Sequence, residues 1–175
     1  MYEFYYNNLK PTCESALSLL YTDTDSLLLH IETPDVYADM KADAHLYDTS
    51  DYLKDHPLYS VVNKKVVGKF KDECNGQAIS EFVGLRPKMY SILKADETEI
   101  KKAKGISKLV VKKMKHDLYK QVLNLRQEMR HSMMAIRSDH HKMGLYKINK
   151  ISLSPLDTKK WIELDGIMYA SIWAL

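Results

Sequence analysis

Two carboxylates one residue apart, Asp23 and Asp25, fall in the stretch Tyr21-Thr22-Asp23-Thr24-Asp25-Ser26, which separates two apolar runs. Leu17, Leu19, Leu20 and Tyr21 precede it and read as a buried strand. Leu27 to Ile31 follow and read as another, interrupted only by His30. The spacing predicts a hairpin with a tight turn. Strand side chains alternate in direction, so Asp23 and Asp25 are expected on the same side of its tip, where both can approach a hard cation that prefers oxygen ligands.

Other motifs place acidic residues in a similar way. A phosphatase nucleophile of the haloacid dehalogenase type follows a buried strand with Asp-x-Asp, but wants Thr or Val two residues after the second Asp, where this chain has Leu27. An EF-hand loop wants an oxygen ligand at that same position, then Gly and a distant Glu. Leu27 excludes both. A polar hairpin tip with no chemistry is the plain alternative, because Asp, Thr and Ser are ordinary turn residues.

The hexapeptide resembles the third conserved palm motif of family B DNA polymerases, Tyr, any residue, Asp, Thr, Asp, Ser, and matches at all six positions. In that family the second aspartate is the principal metal ligand and the first is auxiliary. The resemblance therefore implies Asp25 as catalytic metal ligand and Asp23 as its helper. It also implies two magnesium ions in the complete enzyme, and nucleotidyl transfer in which one ion activates the primer 3′-hydroxyl while the other holds the triphosphate. Gly84-Leu85-Arg86-Pro87-Lys88-Met89-Tyr90 contains Lys-x-Tyr, which resembles the motif that holds the primer terminus in these enzymes. Period two predicts Lys88 and Tyr90 on one strand face, a phosphate-seeking cation beside a ring with a hydroxyl. Arg86 and Lys104 are the further candidate DNA contacts.

The resemblance runs through Lys69-Phe70-Lys71-Asp72-Glu73, read as a strand, Glu81 to Leu85, Ala103-Lys104-Gly105-Ile106 and Tyr146 to Ser154. It is to polymerases of self-synthesising transposons and related protein-primed viruses. Met1 to Tyr6 fit as the end of the helix preceding the catalytic hairpin. It implies primer-template DNA and deoxynucleoside triphosphates as substrates, and a terminal protein as a possible primer. Three family features are missing: the strand motif Asp-x-x-Ser-Leu-Tyr-Pro with the other metal ligand, the fingers pattern Lys-x-x-x-Asn-Ser-x-Tyr-Gly, and the acidic exonuclease signatures. The chain is thus expected to be a C-terminal piece that begins inside the palm. The expected fold is α+β, a polymerase palm remnant over residues 1–106 continuing into a thumb-like region over 107–175. A catalytically silent DNA-binding remnant is the alternative function.

Length and composition agree with this. The 175 residues are 45% hydrophobic, enough for one compact unit or a palm remnant with a small thumb. The net charge of +3 is unevenly spread. Glu32, Asp35, Asp39, Asp43, Asp48, Asp51 and Asp55 make residues 32–55 acidic. Lys101, Lys102, Lys104, Lys108, Lys112, Lys113, Lys115 and Lys120 give an electrostatic footprint for phosphate, or else a solvated helix face. Cys13 and Cys74 lack metal spacing, and with no secretory leader ahead of them reduced thiols in an intracellular protein are expected. No apolar stretch approaches the ~20 residues that cross a bilayer, so no membrane insertion is expected. His116, His131, His140 and His141 lack finger spacing with Cys or Glu partners and are expected at the surface.

The coarse pattern predicts a helix over residues 2–9 ended by Pro11, then strand, turn and strand over 18–31. A short helix follows with Pro34 in its first turn and Val36, Tyr37 and Met40 on its buried side. Residues 44–60 read as loop, and 61–70 and 79–93 as strands. Ser107 is expected to cap one long helix with Leu109, Val110, Met114, Leu118 and Val122 facing the core. Residues 126–153 read as a mixture of helix and strand. No linker, repeat or glycine loop for phosphates is present, and Gly68, Gly84 and Gly105 read as isolated turn or bulge positions.

Overall fold

A computed structural model describes residues 1–156 in full and the backbone of 160–162 and 168–170. Part of the thumb-like region expected over 107–175 therefore lies outside the described residues. The protein is mixed α+β, with small, mostly antiparallel sheets and few helices. It divides into two compact units, Met1–Ala78 and Ile79–Leu175. Among the described residues no helix is long and apolar enough to cross a membrane.

The first unit opens with a π-helical segment, Phe4–Leu9, that runs into α1, Lys10–Cys13. Helical structure thus continues past Pro11 rather than ending there. Pro11 is the second residue of α1, directly after the π-helical segment. The hairpin is present as expected, with β1, Leu17–Asp23, paired to β2, Ser26–Ile31. Its strands are not buried as expected: the register shifts between Leu19 and Tyr21, and Leu19 and Leu20 are both exposed. Among the described residues these two strands form a sheet of their own, so no neighbouring strand covers them.

The next helix, α2, spans Val36–Ala42. Its N-cap is Asp35, whose carboxylate accepts from the amides of Tyr37 and Ala38 at 2.9 and 3.1 Å. Pro34 therefore precedes the cap instead of occupying the first turn, and Val36 is exposed while Tyr37 and Met40 are half-buried. Residues 61–69 form turns, not the expected strand. Lys65 and Gly68 take left-handed φ values of 58° and 86°, which an extended run cannot contain. Only Phe70–Lys71, β4, is extended, and it pairs in parallel with Tyr47–Asp48, β3. Aromatic packing holds this end, with Phe4 stacked on Phe70 at 3.9 Å and edge-on to Tyr47 at 5.8 Å. The Asn63 amide donates to the carbonyls of Ala44 and Tyr47, at 3.1 and 2.8 Å, pinning the loop beneath them.

The second unit is built on an antiparallel sheet of β5, Ile79–Arg86, β6, Met89–Lys94, and β7, Glu99–Ala103. Val83, Leu85, Met89, Ala103, Met114, Tyr119, Val122 and Leu153 form its core. The single long helix expected after Ser107 is two helices, α3, Lys108–Lys113, and α4, His116–Leu125, separated by extended Met114 and Lys115. No glycine or proline makes this break. The Lys101 ammonium takes the Met114 carbonyl, and Glu99 accepts the His116 N–H at 3.0 Å, so the sheet supplies an N-cap for α4. Leu109, expected in the core, is exposed on α3. Arg126, left-handed at φ 50°, ends α4. The expected mixture over 126–153 is instead one long hairpin, β8, Met129–Asp139, and β9, Lys142–Leu153. Its base is anchored by Met129 and Leu153. The backbone of Lys160–Ile162, β10, pairs with that of Met168–Ala170, β11.

Asp48 is buried in the first unit, and its carboxylate accepts from the amides of Ser50 and Lys65 at 3.0 and 3.1 Å. The nearby Ser50 hydroxyl and these amides hold its pKa down to about 2, against 3.8 ordinarily. The charged form is favoured by folding, so this stabilisation is complete above pH ~4 and is lost as pH falls towards 2. Asp48→Asn is expected to cost about 2 kcal/mol at pH 6. In denaturant titrations that difference from wild type should shrink to near zero at pH 2.

Candidate functional site

The β1–β2 turn contains two residues, Thr24 and Asp25, with Asp23 and Ser26 closing the ladder. Closing strands this tightly requires a left-handed residue, and Thr24 takes that role with φ 57°. The Asp25 amide donates to the Asp23 carbonyl at 2.7 Å, forming a γ-turn around Thr24. A β-branched residue is strained there. Hydroxyls compensate: Thr24 donates to an Asp23 carboxylate oxygen at 3.2 Å, Ser26 to the Asp23 carbonyl at 3.1 Å, and Thr22 to the Ser26 carbonyl at 3.2 Å.

The two carboxylates consequently differ. Asp23 is half-buried and tied into the turn, whereas Asp25 is exposed and its carboxylate takes part in no hydrogen bond or ion pair among the described residues. The expectation from strand alternation does not extend to Asp25, which lies in the turn rather than on a strand. The Asp25 carboxylate is accessible, and its oxygens are donors of the type a hard cation takes. Two carboxylates leave most of an octahedral shell to water or phosphate. Among the described residues no group of three or more His, Cys, Asp or Glu side chains is placed to hold a metal.

Arg86, Lys88, Tyr90 and Lys104 belong to the second unit, where the sheet assembles them. Arg86 pairs with Met89 across a two-residue turn of Pro87 and Lys88. Lys88 is left-handed at φ 60°, as the position after Pro in a type II turn requires. Lys88 and Tyr90 therefore do not share a strand face, because strand alternation begins only at Met89. The Lys88 carbonyl accepts from the Lys104 amide at 3.0 Å, so Arg86, Lys88 and Lys104 meet at one end of the sheet. Tyr90 lies one step inward, between Gly84 and Lys102. Its ring is 6.1 Å from Phe82, which lies across Gly84 so closely that an added Cβ there would come within 2.9 Å.

Of the basic segment, Lys101 is bound to Glu99 and Lys120 to Glu81, while Lys102, Lys104, Lys108, Lys112, Lys113 and Lys115 are exposed. His116, expected at the surface, is buried, with Nδ1 2.8 Å from the buried Ser91 hydroxyl and Nε2 3.4 Å from Glu81. It shares a helix face with Tyr119 and Val122, a spacing that was available as a signal. Lys120 is the main reason the Glu81 carboxyl sits below its ordinary range. Burial works to raise Glu99, but bonds from Lys101 and the His116 amide prevail and hold it low. His131 is likewise half-buried, bonded to Ser152 at 2.7 Å, whereas His140 and His141 are exposed at the tip of the β8–β9 hairpin.

Comparison with family models, curated proteins and solved structures found no match to this chain.

Two stability measurements check this geometry. Thr24→Gly removes a side chain from a left-handed position and should raise unfolding free energy by about 0.5–1 kcal/mol, despite the lost hydroxyl. A loss of stability in chemical denaturation would mean that Thr24 carries no strain. His116→Ala leaves the Ser91 hydroxyl unpaired and opens a cavity, and should cost about 2–4 kcal/mol in the same assay.

Proposed function

We propose that the chain is the palm-to-thumb part of a family B DNA polymerase of the protein-primed type, serving template-directed DNA synthesis. The supporting observation is the fold of Tyr21 to Ser26: a closed two-residue turn that ties down Asp23 and leaves the Asp25 carboxylate open. Asp25, backed by Asp23, would hold magnesium. When bound, the metal supplies a Lewis acid that makes the primer 3′-hydroxyl a better nucleophile and offsets charge on the triphosphate. Lys88, Arg86 and Lys104 would neutralise primer phosphates from one sheet end, while Tyr90 would orient the primer terminus. Primer-template DNA and deoxynucleoside triphosphates are the ligands this reading assigns.

A second reading is a silent DNA-binding remnant, favoured by one observation: among the described residues no third carboxylate joins Asp23 and Asp25. Both readings predict that this chain alone does not extend a primer, since two ions need bridging carboxylates from two strands. Incorporation by the purified chain, lost in Asp25→Asn, would contradict that expectation and the remnant reading with it.

DNA binding tests both readings. Lys88→Ala should weaken binding to a duplex with a recessed 3′ end across all sequences and lower the salt slope by about one unit of neutralised charge. Tyr90→Phe, which removes no charge, should leave the slope unchanged. Anisotropy titrations at several salt concentrations measure both. Unchanged affinity and slope in a folded Lys88→Ala protein would overturn the assignment.

A further inference from the structure

The helical stretch that opens the chain carries a face used by neither the hairpin nor the core. Phe4 points inward, buried against Phe70 and Tyr47. Tyr2, Tyr6 and Lys10 recur every four residues and share a different face. The Tyr2 and Tyr6 rings are 6.3 Å apart with planes only 18° from parallel, and Tyr5 meets Tyr6 edge-on at 5.0 Å. The Lys10 ammonium lies over the Tyr6 ring at 5.4 Å. Despite this mutual packing, Tyr2 remains 76% exposed and Tyr6 53%. π-Helical geometry, which Phe4–Leu9 adopts, recurs at functional positions.

Two near-parallel rings partly open to water, with a cation over the second, match a ligand that is both planar and anionic. Stacking against the rings uses their faces, and the ammonium offsets negative charge beside them. A purely apolar partner would instead desolvate Lys10 without compensation. We propose that Tyr2, Tyr6 and Lys10 form a stacking platform for an unpaired base of single-stranded nucleic acid, with the adjoining phosphate at Lys10. The proposal rests on the DNA-binding reading above and adds the strand form that this face takes.

The test is a titration of the full chain with oligothymidylate carrying one 2-aminopurine, whose fluorescence falls on stacking. Wild type should quench it. Tyr6→Leu and Tyr2→Leu should each abolish the quenching and weaken binding on the order of tenfold. Tyr6→Phe should retain both, and Lys10→Met should lower the salt slope by about one. Because these side chains are exposed, the variants should melt as wild type does. Binding unaltered in both leucine variants would overturn the platform, while the Lys88→Ala titration on recessed duplex would still report separately on the wider reading. Failure to bind either nucleic acid would overturn both. A proline-rich peptide that binds in place of the oligonucleotide, and loses affinity in Tyr6→Leu, would overturn the platform in favour of a protein partner.

Discussion

Joining two antiparallel strands by two residues forces part of the loop into left-handed backbone, and this chain meets that demand without glycine. Thr24 closes β1–β2, Lys88 closes β5–β6, and His140 with His141 closes β8–β9, all at positive φ. Side chains that are disfavoured there are held by the ladders on either side. The consequence is chemical as well as geometric. A left-handed Thr24 makes the γ-turn that ties in Asp23 and leaves the Asp25 carboxylate exposed, and a left-handed Lys88 puts its backbone at the same sheet end as Arg86 and Lys104.

The second unit holds α4 to its sheet through charged side chains. Glu99 and Lys101 lie two residues apart on β7 and reach the break between α3 and α4, one accepting from the His116 amide and the other donating to the Met114 carbonyl. This fixes α4 against the sheet, so that His116, Tyr119 and Val122 enter the interior where Met89 and Ala103 lie. Met89 is fully buried between Lys88 and Tyr90, and its anchoring sets where β6 begins.

How much of this was legible in the sequence depends on whether the determinants are local. The β1–β2 hairpin was legible because its apolar runs flank a short polar stretch, although the turn itself is only Thr24 and Asp25, since Thr22, Asp23 and Ser26 extend the strands. The orientation of its carboxylates was not, since strand periodicity stops at a two-residue loop. The same extrapolation through Pro87 misplaced Lys88. The break at Met114 and Lys115 depends on side chains from β7, and nothing between Ser107 and Leu125 announces it. The β8–β9 hairpin was obscured because Met134, Ile136, Met143 and Leu145 face outward, blurring alternation, and because His-His replaces the usual glycine-containing turn. The run 61–69 failed in the opposite sense: Val61, Val62, Val66 and Val67 favour strand, but all four are exposed on turns.

The central claim is that the turn at Thr24 displays Asp25 for a divalent cation that engages nucleotide and primer. Paramagnetic broadening of backbone amide signals by manganese, a magnesium substitute, tests it most directly when primer-template and a deoxynucleoside triphosphate are present. The account predicts broadening centred on residues 23–26 that disappears in Asp25→Asn. Broadening centred elsewhere, or unchanged in Asp25→Asn, would contradict it.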